Sequence, residues 1–139
     1  MYDNLVPVSY HFPGVDLGSG DVTKKMPIPR GASLARVLDI LAVCTTTFTQ
    51  VTTPGVVKIG DGTTADKFAS LTIGGLAAGS SLSGRDFTDG VFKAVYHGAD
   101  YNSGAGLHDL TATFVAPTGG TPAGVGDFIV IVGFDTILK

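Results

Sequence analysis

The stretch Ala35–Gly74, ARVLDILAVCTTTFTQVTTPGVVKIGDGTTADKFASLTIG, decides the fold class. An apolar run passes into a threonine-rich run and the chain turns at Pro54-Gly55. Val56-Val57-Lys58-Ile59 then returns, and Gly60-Asp61-Gly62 turns it again. Branching at Cβ restricts χ1 against a helical turn but packs well on a pleated surface, so these runs read as strands. Leu34, Val37, Leu38 and Leu41 also fit helical spacing, with Ser33 as a cap. The β-branched run from Val43 to Thr49 decides for strand, because a helix would hold it poorly.

The rest of the chain repeats this grammar. All 12 acidic residues are Asp, which favours turns and caps where Glu favours helix. Glycine is abundant, with 20 residues, and Thr and Val are common, as strands joined by tight turns require. Strands are expected near residues 8–12, 21–26, 35–48, 56–59, 67–73, 91–96, 107–116 and 128–138, separated by Gly, Pro, Asp and Ser clusters. Leu110, Ala112, Phe114 and Ala116 alternate with Thr111 and Thr113, the pattern of a half-buried antiparallel strand. The last strand differs: Phe128, Val130, Val132 and Phe134 share one face, while Ile129, Ile131 and Ile137 fill the other. The long third strand behaves likewise, with Leu38, Ile40, Ala42, Cys44 and Phe48 on one face and Asp39 interrupting the second. A strand apolar on both faces lies under two layers or at a subunit contact.

At 139 residues the chain suits one domain and buries enough surface to need neither disulfide nor metal. Residues 1–30 stand apart from 31–139. They carry four prolines and two tyrosines with little periodicity, and read as an extended N-terminal arm or an edge hairpin of a β-sandwich formed by the remainder. The net charge of −3 lacks the basic surplus of a nucleic-acid binder, and Lys24, Lys25 and Arg30 form a single small cluster near Asp16 and Asp21. Positive mean hydropathy with sparse charge points to apolar surface that a partner covers. The apolar run Phe128–Val132 is too short to span a bilayer, and the N-terminus with Asp3 lacks the apolar core of a signal peptide. Cys44 is the single cysteine and reads as a small core residue.

No arrangement carries chemistry. The Gly-x-Gly pairs at 18/20, 60/62, 104/106 and 124/126 lack the third glycine of a nucleotide fingerprint, and no P-loop lysine is present. The serine-rich run Ala78–Gly84 lacks nucleophile-elbow spacing and reads as a turn. Asp61, Thr63 and Asp66 do not match a calcium loop, and Gly60-Asp61-Gly62 reads as a turn whose glycines take positive φ. His97, Asp100, His108 and Asp109 are the best candidate cluster. They bracket a long glycine-rich loop with no spacing that fixes a metal geometry, so polar strand ends are the favoured reading. The residues therefore predict a protein that is not an enzyme, with no cofactor and no metal. Tyr2, Tyr10, Phe12, Tyr96 and Tyr101 leave a glycan platform open, weakened by the absence of Trp.

Thr45–Phe48, Val56–Gly62, Ala65–Ala69 and the ending Gly126–Asp135 resemble patterns of small virion proteins of tailed bacteriophages. The resemblance runs from Ala35 onward, about two-thirds of the chain, through short turn-like motifs. In that setting such chains resemble capsid decoration (cement) proteins of jelly-roll type, often trimeric. The resemblance implies an all-β antiparallel jelly-roll sandwich of about eight strands that binds the outer surface of a phage capsid and stabilises it by bridging capsomers. Its partners would be the major capsid protein and sister subunits of a homotrimer, with no nucleic acid and no membrane. It would sit on the virion exterior after synthesis in the host cytoplasm, where one unpaired cysteine is at home. Tyr2, Leu5, Val6, Tyr10 and Phe12 are the expected capsid contacts. The alternative is a glycan- or host-binding module of a fibre or tail, using the loops 98–106 and 117–126.

Overall fold

A computed structural model describes residues 5–29, 34–49, 52–61, 64–84, 96–97, 110–119, 121 and 123–134. The strands, in chain order, are β1 Val6–Asp16, β2 Val22–Met26, β3 Leu34–Thr46, β4 Val56–Gly60, β5 Ala69–Thr72, β6 Ser81–Gly84, β7 Tyr96–His97, β8 Leu110–Val115 and β9 Val125–Phe134. They form two antiparallel sheets. Sheet A has the order β1-β9-β3-β6, with the two-residue β7 also on β3; sheet B has the order β2-β8-β4-β5. Apart from the β4–β5 hairpin and the adjacent β6 and β7, each successive strand lies in the opposite sheet. This is the connectivity of a jelly-roll sandwich.

The core is the shared inner face. Rows Val8–Val132–Val37, Tyr10–Val130–Ile40 and Phe12–Phe128–Ala42 run across sheet A. They meet Met26, Val57, Ile59, Leu71, Leu110, Ala112 and Phe114 of sheet B. Phenylalanines join the layers: Phe114 packs edge-on against Phe12 at 5.5 Å and tilts against Phe128 at 4.8 Å, and Phe48 lies 6.1 Å from Phe128.

Several expectations change. Residues 6–26 are edge strands, not an arm. β1 pairs with β9 through nine Cα partners, and β2 pairs with β8 in the other sheet, so they do not pair with each other as a hairpin either. The chain does not stop at Pro13-Gly14: a bulge between Phe12 and Val15, with Gly14 at φ 63°, lets β1 continue to Asp16. Ser81–Gly84, read as a turn, is an edge strand on β3. The bulge between Val37 and Asp39 places two residues opposite one and reverses the expected facing of Leu38. Ile40, Ala42 and Cys44 are buried as expected, while Leu38 lies on the outer face above Gly133, where an added Cβ would come within 3.1 Å of its Cδ1. The strand expected at 91–96 lies outside the described residues except for Tyr96, as does Ile137.

Several loops among the described residues are held by aspartates. Their short side chains reach backbone N–H groups of nearby loops. The Asp16 carboxylate accepts from Gly18 N–H at 2.8 Å, Asp21 from Ala116 at 2.8 Å and Asp127 from Gly14 at 2.7 Å. The last two bonds tie segments about a hundred residues apart in sequence. The loop before β9 is also pinned: Leu17 N–H donates to the Gly124 carbonyl at 2.9 Å, and Thr118 bridges Thr53.

Gly60 is required by close approach rather than handedness. It is not among the glycines with positive φ, and a Cβ there would overlap the Thr64 carbonyl oxygen and the Ala65 backbone. Because that neighbour is backbone, it cannot rotate away. Gly60→Ala is expected to lower unfolding free energy by about 1–3 kcal/mol, the range for overpacking a filled site. A thermal melt compared with Gly14→Ala, whose site has open space but a left-handed φ, separates crowding from backbone strain.

Candidate functional site

The Asp61 turn shows what buried polar groups do here. Asp61 is buried; its carboxylate accepts Thr64 N–H at 2.6 Å and pairs with Lys67 Nζ at 3.0 Å, while Thr111 donates to its carbonyl at 3.1 Å. Both carboxylate oxygens thus have protein partners, and the residue stabilises the β4–β5 connection. Thr63 lies outside the described residues, as do Asp100, His108 and Asp109; His97 lies in β7. Among the described residues no group of three His, Cys, Asp or Glu side chains converges as a metal site, and no helix is long and apolar enough to cross a membrane. Cys44 is buried, with its thiol donating to the Thr46 carbonyl at 3.1 Å.

The distinguishing feature is the contrast between the outer faces of the two sheets. In sheet B, Thr23–Thr113–Lys58–Ser70 form one outward row; in the next, Lys25 is exposed while Thr111 and Gly60 lie buried under the Asp61 turn, and Val56 and Val115 stand at one end. That face is hydroxyl and lysine, suited to water. In sheet A, Ile129 and Ile131 alternate with buried Phe128, Val130 and Val132, so the pleat turns them outward. Leu41 stands beside Ile129, Val43 beside Asp127, and the β3 bulge brings Leu38 and Asp39 to Ile131. Leu5 continues the band, since both Leu5 and Leu38 lie over Gly133. Val43 remains 46% exposed, an unusual state for a large β-branched side chain in the middle of a long strand. Along the central strands the band is bordered by polar residues: Ser9 and His11 of β1, Ser81 and Ser83 of β6, and Arg36 opposite Gly133 at its end.

The expected contact residues divide. Leu5 extends the band, and Val6 is 45% exposed at the sheet edge. Tyr10 and Phe12 face inward and pack against the core, and Tyr2 lies outside the described residues. The Tyr10 hydroxyl donates to the Pro27 carbonyl, tying the edge of sheet A to the chain leaving β2. Burial pushes its phenol from 10.0 up to about 12. The unfolded chain therefore releases this proton before the folded one does. The contribution is fully present below pH 10 and is lost as pH rises through about 12. Tyr10→Phe is expected to flatten that part of the alkaline stability profile, checked by urea midpoints between pH 9 and pH 12 in parallel with the parent.

No family model matches the chain, and no curated protein matches it. Among solved structures, a chain of the cyanophage Pam1 capsid asymmetric unit aligns at 14% identity and TM-score 0.44, over 95% of this chain and 86% of its own. A Bacillus endospore appendage protein, from a family of disulfide-linked pili, aligns at 15% identity and TM-score 0.30, over 99% and 95%.

Proposed function

We propose that the chain is a structural virion protein that docks on the outer surface of a tailed-phage capsid and reinforces it by bridging capsomers. The observation that carries this reading is the apolar outer band of sheet A opposite the hydroxyl-and-lysine face of sheet B. A sandwich with one wet face and one apolar face is suited to lying on a larger surface with the wet face outward. The sequence resemblance to decoration proteins supplies the setting.

The role is mechanical. Each copy buries apolar area against the major capsid protein, at roughly 25 cal/mol per Å² before association costs. Linking copies into a homotrimer makes the second and third contacts intramolecular and raises avidity. The contact set this reading favours is Leu5, Leu38, Leu41, Val43, Ile129 and Ile131, supported by their place on the outer face of sheet A. The protein would be made in the host cytoplasm and reside on the capsid exterior.

Co-sedimentation with undecorated tailed-phage capsids tests docking: saturable binding supports it, and free protein at all ratios refutes it. Light scattering after gel filtration tests the trimer, which a monomer in solution and on shells would remove.

A further inference from the structure

We infer that the partner seats an amphipathic α-helix, flanked by basic residues, along the apolar band of β3 and β9. The inference deepens the docking reading above and rests on it, because it concerns the same face.

The shape of the band selects the occupant. Its width is two neighbouring strands, which with their side chains amounts to about 10 Å; an α-helix has about that diameter. Its length, from Gly133 to Asp127 along β9, is about 20 Å, or roughly 13 residues of helix.

A second sheet, including one from another copy, fits less well. It would cover all four strands and bury Ser9, His11, Ser81 and Ser83 away from water, at a cost for each polar group left without a partner. A helix on the two central strands leaves those side chains wet.

Addition of a strand at an edge is also disfavoured. β1 carries Pro7 and Pro13, β2 exposes Lys24 and Lys25, and β5 and β6 have four residues each. Charge sets the polarity of the helix: Arg36 stands opposite Gly133 at one end of the band, while Asp39 and Asp127, which also accept Ile40 and Gly14 N–H, stand beside the rest of it, so Lys or Arg on the helix flank over the aspartates would complement them.

The test uses the whole protein and three labelled peptides of about 14 residues: Leu/Lys at helical period, the same composition at alternating period, and Leu/Glu at helical period. Fluorescence anisotropy should show saturable binding of the helical Leu/Lys peptide. The Ile129→Thr/Ile131→Thr variant should bind it about ten-fold more weakly or worse, since two buried side chains are lost. The Leu/Glu helix should bind more weakly than the Leu/Lys helix. Threonine retains strand preference, and circular dichroism confirms that the variant folds.

Equal or tighter binding of the alternating peptide, or an unaffected double variant, overturns the inference. So does a dimer in light scattering that the double substitution dissolves, since the occupant would then be a second copy. If shells bind through this face but no helical peptide does, the helix falls and docking stands. If the helical peptide binds and shells do not, docking falls.

Discussion

Phe114→Ala is expected to lower the unfolding free energy by about 3–5 kcal/mol, the largest stability loss of any substitution considered for this chain. Phe114 is fully buried on β8 of sheet B and touches two rings of sheet A, Phe12 at 5.5 Å and Phe128 at 4.8 Å. Truncation removes the transfer energy of the ring and leaves a cavity between rigid sheets whose backbones are fixed by ladder hydrogen bonds. The edge-to-face and tilted ring contacts are lost with it. A domain of ordinary stability has about 5–15 kcal/mol in total, so the variant should unfold at a much lower urea concentration with a similar slope. A loss below about 1 kcal/mol would mean that the two layers are not joined through this residue.

Ile129→Thr with Ile131→Thr should have the opposite profile: little change in stability and loss of capsid binding. Both side chains alternate with buried neighbours and point away from the core, so replacing them leaves the inner rows intact. Threonine keeps the β-branched shape that the strand favours. On the proposed docking face each substitution exchanges apolar area for a hydroxyl that the partner must desolvate, so affinity for shells should fall by about ten-fold per residue or more. Thr113→Val/Lys58→Leu on sheet B, which makes the other face more apolar, should leave shell binding unchanged. Sedimentation and thermal melting of the same preparations read both effects.

Much of this design is visible in the residues. The parity of Ile129 and Ile131 against Phe128, Val130 and Val132 shows a strand apolar on both faces before any partner strand is known. Thr111 and Thr113 likewise mark the outward side of β8, although the Asp61 turn covers Thr111. What escaped was set by register. Nothing local in VLD at 37–39 announces a bulge, yet that extra residue turns Leu38 outward and adds it to the band. Ser81–Gly84 looks like loop because an edge strand over a polar rim needs no apolar face. Pro7, Pro13 and the sparse periodicity of residues 6–26 resemble an arm, but they are the signature of edge strands protected from further pairing. Tyr10 and Phe12 look like exposed anchors in a proline-rich segment. Only the pairing of β1 with β9 shows that they close the side of the core.

Electron cryomicroscopy of undecorated tailed-phage shells incubated with saturating protein is the most direct measurement. Ordered density with sheet A turned toward the shell, and the row Thr23–Thr113–Lys58–Ser70 turned to solvent, is the expected result. Bare shells, or density that meets the shell through sheet B, would contradict it.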